Sequence, residues 1–221
     1  VVTFNDVTAA GACPQEYSIT RTWTATDACG NSSTCSQSIV VEDTTVPTIT
    51  LCPANITVEC DESTDPLNTG LATATDNCDP APVVTYSDSV APGTCPQESS
   101  ISRTWIATDA CGNTASCSQI ISVNDQTPPT AICEDLLIDF ANSFEVTITP
   151  DQIDNGSFDN CGAVTLSLSQ TVFTCDQFIE TGSVPVTLTV TDACGNTSTC
   201  VAQVMGQGGL LEINCPADII I

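Results

Sequence analysis

The chain of 221 residues has no histidine and no lysine, and its only basic residues are Arg21 and Arg103. It carries 27 acidic residues, which give a formal net charge of −25 at pH 7. This balance argues against nucleic-acid binding, because two cations cannot neutralise a phosphate backbone, and against binding to an anionic membrane. Without histidine or lysine, acid–base chemistry would rest on carboxylate pairs alone, so we predict that the chain is not an enzyme.

Aromatic residues form only 5 % of the chain, and no apolar run reaches the length that crosses a membrane. Domains with so few large core side chains are often held together by disulfides, which persist in oxidising, extracellular surroundings. The sequence has 15 cysteines. None of them forms a CxxC motif, which argues against the alternative of a cytosolic metal protein. We therefore predict a disulfide-bonded protein that is secreted or displayed at a cell surface.

One phrase recurs along the chain at a nearly constant interval. It reads RTWTATDACGN at 21–31, RTWIATDACGN at 103–113 and VTLTVTDACGN at 186–196. The interval of about 82 residues is too long for a helical solenoid repeat and suits one small β-sandwich per repeat. Within the phrase, alternation predicts a strand, and Thr-Asp followed by Cys-Gly-Asn predicts a turn in which the aspartate caps backbone N–H groups.

The repeat divides the chain into four predicted segments. The first segment (1–43) is the C-terminal part of a β-sandwich, and the second (44–125) is a complete sandwich. The third segment (126–206) is a complete but divergent sandwich, and 207–221 is a linker with the first strand of a further repeat. Because the chain begins inside one repeat and ends as another begins, we expect it to be part of a longer polypeptide. The predicted fold is all-β: tandem immunoglobulin-like Greek-key sandwiches arranged as a rod.

Arg21 and Arg103 lie two residues before Trp23 and Trp105, so each arginine shares a strand face with a tryptophan. The expected role of both arginines is structural: the stem packs on apolar surface and the guanidinium pairs with a carboxylate. The alternative role is the capture of a ligand. We favour the structural role because the third segment has Val186 and Leu188 at these places.

The motif CPANITV followed by TDACGN resembles the HYR module, an immunoglobulin-like β-sandwich. The stretches RTWTATDACGNSSTCSQ, DTTVPTI and ATATDNCDP also resemble repeats of very large secreted surface proteins of Bacteroidetes-type bacteria. The resemblance implies an adhesin or appendage protein that leaves the cell by a type IX secretion route. It covers almost the whole chain.

The resemblance also implies two disulfides, Cys52–Cys117 and Cys133–Cys200. The other cysteines of the second segment allow three pairings. We prefer Cys78–Cys95 with Cys60–Cys111. This scheme allows Cys161–Cys175 in the third segment, where Phe140 and Ala141 replace the counterpart of Cys60, and it leaves Cys194 unpaired. A rival scheme pairs Cys60 with Cys95 and Cys78 with Cys111. Cys35 and Cys215 are expected to find partners outside this sequence.

Acidic residues recur in the turns that should meet at one end of each sandwich. The linker, the TDNCDP turn and the TDACGN turn would gather two groups, the first made of Asp43, Asp76, Asp79 and Asp109, and the second of Asp125, Asp159 and Asp192. Carboxylates on loops suit Ca²⁺, which takes six to eight oxygen ligands. The alternative is a set of solvated aspartates that only cap backbone. We predict no required cofactor, with Ca²⁺ at the repeat junctions as the one candidate.

The features together favour a structural role. We expect a rigid spacer or filament building block of a large extracellular bacterial adhesin or appendage. Its partners would be neighbouring repeats of the same polypeptide and identical chains in a filament, while other parts of the parent protein would reach a cell-surface glycan or protein. The alternative is a calcium-dependent glycan- or protein-binding module of a cell-surface protein.

Overall fold

A computed structural model describes residues 1–140 and 143–207 of the chain. Cys215, Ala141 and nearly all of the predicted fourth segment lie outside these residues. The regular secondary structure of the described part is almost entirely β-strand, with one single-turn α-helix and two short 3₁₀ turns, which confirms the all-β prediction. It forms two compact units, and we describe each separately.

The first unit comprises Val1–Val58, Ser63–Ala91 and Ser99–Val123. Its N-terminal part is a three-stranded antiparallel sheet of β1 (Val2–Ala10), β2 (Tyr17–Thr26) and β3 (Ser32–Val41). The second segment supplies two further sheets. Their elements are β4 (Thr48–Leu51), β5 (Ile56–Glu59), α1 (Pro66–Thr69), β6 (Thr73–Thr75), β7 (Val83–Pro92), β8 (Ser99–Thr108) and β9 (Thr114–Asn124). Strands β4 and β6 pair with each other, and the larger sheet has the order β5-β9-β8-β7.

The second unit comprises Glu59–Glu62, Pro92–Glu98 and the chain from Asn124 onward. Its elements are β10 (Leu136–Asp139), β11 (Glu145–Thr147), a 3₁₀ turn (Pro150–Gln152), β12 (Thr165–Leu168), β13 (Val172–Thr174), a 3₁₀ turn (Cys175–Phe178), β14 (Ser183–Thr191) and β15 (Thr197–Gln207). One sheet has the order β10-β15-β14-β12, and the other pairs β11 with β13. Strand β10 runs parallel to β15, whereas β14 is antiparallel to β12 and β15. A first strand parallel to the last, beside an antiparallel hairpin, is the arrangement of an immunoglobulin-like Greek-key sandwich.

The core of the third segment lies between its two sheets. Strand β14 turns Val186, Leu188 and Val190 inward, and all three are fully buried. They pack in one cluster with residues of the facing strands and turns: Ile138, Phe140, Ile148, Ile153, Phe173, Phe178, Ala202 and Val204. The alternation of β14 therefore places one apolar face between the sheets, as expected for a strand that is buried on one side.

The recurring phrase forms the penultimate strand of each segment and the turn after it. In the second segment, Ile101, Arg103, Trp105 and Ala107 are buried on one face of β8, as the alternation predicts. In the turn, Oδ1 of Asp109 accepts backbone N–H bonds from Cys111 and Asn113 at 2.9 and 2.8 Å. Asp27 and Asp192 form the same turn in the other two segments, which confirms the predicted aspartate cap.

Candidate functional site: crosslinks and carboxylate clusters

Two disulfides form within single predicted segments, one in the second segment and one in the third. Cys52 is bonded to Cys117 and Cys133 to Cys200, with Cα–Cα distances of 6.3 and 6.0 Å. These are the two pairs that the family resemblance implies. Each bond joins the region of the first strand to the last strand of its segment, and each closes a loop of more than 60 residues. In the chain-entropy model, a crosslink of this span stabilises the fold by about 4 kcal/mol, because it restricts the unfolded chain.

Three further disulfides join one predicted segment to the next. Cys13 is bonded to Cys111, Cys60 to Cys161 and Cys95 to Cys194. Their Cα–Cα distances of 5.1, 5.8 and 5.2 Å lie within the usual range for disulfides. Each bond spans somewhat more than one repeat, since the bonded residues are 98 to 101 positions apart.

Both pairing schemes predicted from sequence for these cysteines are wrong. Neither the preferred pairs (Cys78–Cys95, Cys60–Cys111 and Cys161–Cys175) nor the rival pairs (Cys60–Cys95 and Cys78–Cys111) form. Cys60 and Cys95 belong to loops of the second unit, whereas Cys78 and Cys111 belong to the first. The preferred pairs Cys78–Cys95 and Cys60–Cys111 therefore join cysteines of different units.

The status of three single cysteines also differs from the prediction. Cys194, which the preferred scheme leaves unpaired, is bonded, whereas Cys78 and Cys175 are free. Cys29 and Cys35 are the other free cysteines of the described residues. The signal that identifies the true pairs is the phase of each cysteine within the repeat. The cysteine of the CPQE loop bonds that of the DACGN turn one repeat later, and it does so twice.

The predicted second acidic group assembles in full. Asp125, Asp159 and Asp192 each place a carboxylate oxygen within 4.8 Å of the other two. Burial raises the pKa of Asp125, and the charges of Asp159 and Asp192 raise it further. Burial also opposes ionisation of Asp192, but hydrogen bonds from the Asn196 side chain and the backbone N–H groups of 194–196 outweigh it and lower its pKa.

The predicted first acidic group assembles in part. Asp43 and Asp76 lie together with the thiol of Cys78. Burial raises the pKa of this thiol, and the charges of Asp43 and Asp76 add to the effect. Asp109 influences the same thiol electrostatically but is engaged in its turn. Asp79 caps the backbone N–H of Ala81 at 3.0 Å and is not one of the clustered groups.

Four carboxylate oxygens in these clusters are shielded from solvent and accept no hydrogen bond from any described residue: Oδ2 of Asp43, Oδ2 of Asp76, Oδ1 of Asp125 and Oδ1 of Asp159. Buried acceptors without a hydrogen bond are rare in native proteins, because no hydrogen bond offsets the free energy of their desolvation. We call these four atoms the orphan oxygens. They set these turns apart from the other aspartate turns of the chain.

Comparisons with known proteins give only a general likeness. No protein-family model matches the chain, and no curated protein matches it. Among solved structures, human mucin-like protocadherin EC1-2 matches with a TM-score of 0.35 and 11 % identity over 74 % of this chain and 98 % of its own. Drosophila N-cadherin EC1-4 has the same TM-score and identity over 87 % of this chain and 57 % of its own. The tandem Ig repeats of Dlar match with a TM-score of 0.24 and 12 % identity over 74 % and 98 %.

At these TM-scores the likeness carries no conclusion about function. The fold assignment therefore rests on the strand order and pairing of the chain itself. Among the described residues, no helix is both long and apolar enough to span a membrane. The five disulfides point to an oxidising, extracellular environment.

Proposed function

We propose that the chain is a structural repeat segment of a large extracellular bacterial adhesin or appendage, in which it serves as a spacer that resists stretching. The observation that carries the proposal is the set of disulfides between consecutive segments, Cys13–Cys111, Cys60–Cys161 and Cys95–Cys194. A module that only had to fold would need crosslinks within each sandwich, whereas crosslinks from repeat to repeat make a continuous covalent path along the array.

Strand β8 is the part of the second segment that would transmit tension. Cys95 lies just before it and Cys111 just after it, and each bonds a cysteine of a different neighbouring segment. Force that enters through Cys13 would pass to Cys111, along β8 to Cys95, and across to Cys194. Strand β14 would then carry it towards Cys175, which occupies the phase of Cys95. The recurring phrase is, in this proposal, the tension-bearing strand of each repeat.

The disulfides between segments limit how far the chain can extend, because the covalent path through them bypasses long stretches of the chain. From Val1 to Gln207, the path through Cys13–Cys111 and Cys95–Cys194 includes only about 40 residues at ~3.5 Å each. Unfolding of every sandwich would therefore release about 14 nm instead of about 70 nm. A spacer of this design keeps its length even if individual sandwiches open under load.

The phase of each free cysteine is consistent with a longer array of the same kind. Cys29 has the phase of Cys111 and Cys194, and Cys78 has that of Cys161, so both would bond the preceding repeat. Cys175 has the phase of Cys95 and would bond the following repeat. Cys35 has the phase of Cys117 and would bond within its own sandwich.

Single-molecule force spectroscopy on the oxidised chain, held at residues 1 and 207 with free thiols alkylated, tests the proposal. We expect a final extension near 14 nm, which a reducing agent increases to about 70 nm. In the Cys95→Ser/Cys194→Ser variant the path lengthens to about 70 residues, because it must pass through Cys52–Cys117 and Cys60–Cys161, and extension rises to about 25 nm.

The matched control is Cys52→Ser/Cys117→Ser, which removes a disulfide that is not on the shortest path and should leave the extension near 14 nm. An extension near 70 nm for the oxidised chain would refute the spacer mechanism. An equal effect of the two double variants would refute the assigned path.

A further inference from the structure

We propose that Asp125, Asp159 and Asp192 form a binding site for a divalent cation, with Ca²⁺ the best-matched ion. We also propose that Asp43 and Asp76 are the core of an equivalent site in the first unit. This inference rests on the carboxylates alone and does not depend on the spacer function.

The three carboxylates have the spacing that a cation needs. Their nearest oxygens lie within 4.8 Å of one another, so a point central to the three lies at most about 2.8 Å from each. A movement of a few tenths of an ångström would bring them to the 2.3–2.6 Å of calcium–oxygen bonds. Backbone carbonyls and water would complete the six to eight ligands.

The orphan oxygens are the independent sign of a missing ligand. Asp125 is only 5 % exposed, and its Oδ1 accepts no hydrogen bond from the described residues. Oδ1 of Asp159 is in the same state, although Oδ2 of Asp159 accepts the N–H of Cys161 at 2.7 Å. Two buried, unpaired carboxylate oxygens beside a third carboxylate would repel one another in an empty site. A bound cation satisfies all three.

The chain itself offers no positive group for this role. Its two basic residues are engaged elsewhere, Arg21 with Asp6 and Arg103 with Asp88. The donors are carboxylate oxygens, and Cys161 is not available as a thiolate because it is bonded to Cys60. An all-oxygen site favours hard Ca²⁺ or Mg²⁺ over Zn²⁺ or copper. Mg²⁺ demands near-ideal octahedral geometry at shorter distances, so irregular loops favour Ca²⁺.

The same construction occurs a second time, one repeat earlier. Asp43 is 7 % exposed with an orphan Oδ2, and Asp76 has an orphan Oδ2 as well. In both places an asparagine of the DACGN turn holds the backbone of the linker aspartate. Asn113 donates to the carbonyl of Asp43 and Asn196 to that of Asp125, each at 3.0 Å. Orphan oxygens therefore occur at the same position in two successive repeats, which indicates that the carboxylate cluster is a regular feature of the repeat.

Thermal unfolding of the oxidised full chain, first in a chelator and then in 10 mM CaCl₂ or MgCl₂, tests the site. For an extracellular-type affinity of about 10⁻⁴–10⁻³ M, 10 mM Ca²⁺ should shift the unfolding equilibrium of the second unit about ten- to a hundredfold. The Asp159→Asn variant should be at least as stable as the parent in chelator, because repulsion is relieved, and should gain no stability in Ca²⁺. Hydrogen exchange of β14 and β15 assigns the change to the second unit.

The matched control is Asp61→Asn, which removes one exposed negative charge from the same unit and should keep the full calcium response. If Ca²⁺ stabilises the parent and the Asp159→Asn variant equally, the ion binds only the diffuse negative surface and the proposal fails. If Ca²⁺ changes neither melting nor exchange, the orphan oxygens are satisfied by a shared proton and the proposal also fails.

Discussion

The second and third segments build the same sandwich around different cores: the core of the second includes a buried arginine and its partners, and that of the third is a cluster of apolar side chains. In the second segment, Arg103 is 2 % exposed and lies in the middle of β8. Its Nε and Nη2 donate to the two carboxylate oxygens of Asp88 at 2.8 Å, and its Nη1 donates to Oγ1 of Thr69 at 2.9 Å. The guanidinium also lies 4.5 Å from the ring centre of Tyr86. This is the structural role that the sequence predicts for Arg103.

The third segment replaces most of this network with apolar residues. Leu168 lies opposite Leu188, as Phe4 lies opposite Trp23 in the first segment, so Leu168 has the phase of Tyr86 and Gln170 has the phase of Asp88. At the phases of Arg103, Thr69 and Gln119 the third segment has Val186, Ile153 and Ala202. These three residues and Leu168 belong to the apolar cluster or pack against it. Removal of the arginine alone would leave its buried partners without a donor, so we expect the replacements to depend on one another, and sandwich topology does not depend on the polar network.

The largest effect is expected where a charge enters the apolar core without its partners. Val186→Arg places a guanidinium at a fully buried position whose neighbours offer no carboxylate. We expect a loss of at least about 4 kcal/mol in the free energy of unfolding of the second unit. Urea titration followed by hydrogen exchange of β14 and β15 measures it.

The control for this change is Val201→Arg, the same substitution at an exposed position of β15, which should cost less than about 0.5 kcal/mol. A similar small cost for Val186→Arg would show that the core relaxes around charge, and the contrast between the two segments would lose its energetic meaning.

The second prediction concerns removal of Arg103 alone and then removal of Arg103 and Asp88 together. Arg103→Val alone leaves the Asp88 carboxylate, the Thr69 hydroxyl and the Thr64 carbonyl without their donor and should cost about 3–5 kcal/mol. Adding Asp88→Leu, which removes the carboxylate left without a donor, should recover most of this loss. Urea unfolding followed by Trp105 fluorescence in a Trp23→Phe background reports on the second segment, because the chain has only these two tryptophans.

Additive costs of the two substitutions would argue against a single network. In that case the loss of the arginine in the third segment would not require a change at the position of Asp88.

Sequence reasoning succeeded where the repeat or the strand period carries the information. The alternation of Val186, Leu188 and Val190 and the aspartate cap at Asp109 depend on neighbours in sequence, so local pattern predicts them. The crosslinks depend on which loops of successive repeats lie side by side, and spacing within one repeat does not record this. One clue was present: the third segment lacks a counterpart of Cys60 but keeps Cys194, as expected if each of them pairs outside its own segment.

The carboxylate clusters also contain some residues that the sequence predicts correctly and others that it does not. The sequence predicts the second group completely, because all three of its members lie in turns at the same end of an immunoglobulin-like sandwich. The prediction for Asp79 is wrong, since its short side chain caps the N–H of Ala81 two residues on. A local hydrogen bond of this kind competes with any longer-range role.

A smaller effect is expected at the amide of the polar core. Gln119 is fully buried, and its Nε2 donates to the carbonyls of Ala54 and Thr69 at 2.9 and 2.7 Å. Gln119→Ala, which installs the residue of the third segment, should cost about 1–3 kcal/mol because both carbonyls lose a donor. Gln37, at the same phase of the first segment, is exposed, so Gln37→Ala is the matched control and should change unfolding by less than about 0.5 kcal/mol. Equal costs would mean that these two bonds add nothing to stability.

The smallest effect is a difference in acid sensitivity between the two cores. The hydrogen bond from Arg103 lowers the pKa of Asp88, and the arginine charge adds to the shift. A lowered folded-state pKa gives stability that is present above the unfolded-state value of about 3.8 and is lost as pH falls through the folded value. The second segment should therefore lose about 1 kcal/mol through this pair between pH 5 and pH 2, since the Asp88 side chain is 28 % exposed and partly screened.

The third segment has no such pair at these positions, and the Arg103→Val/Asp88→Leu variant should lose the extra sensitivity. Melting followed by Trp105 fluorescence at pH 5, 4, 3 and 2 compares this variant with its parent in the same Trp23→Phe background. Because all other carboxylates are common to both proteins, the difference between the two curves isolates Asp88. Parallel curves of melting temperature against pH would show that the pKa of Asp88 is the same in the folded and the unfolded chain. The polar core would then differ from the apolar one in packing alone.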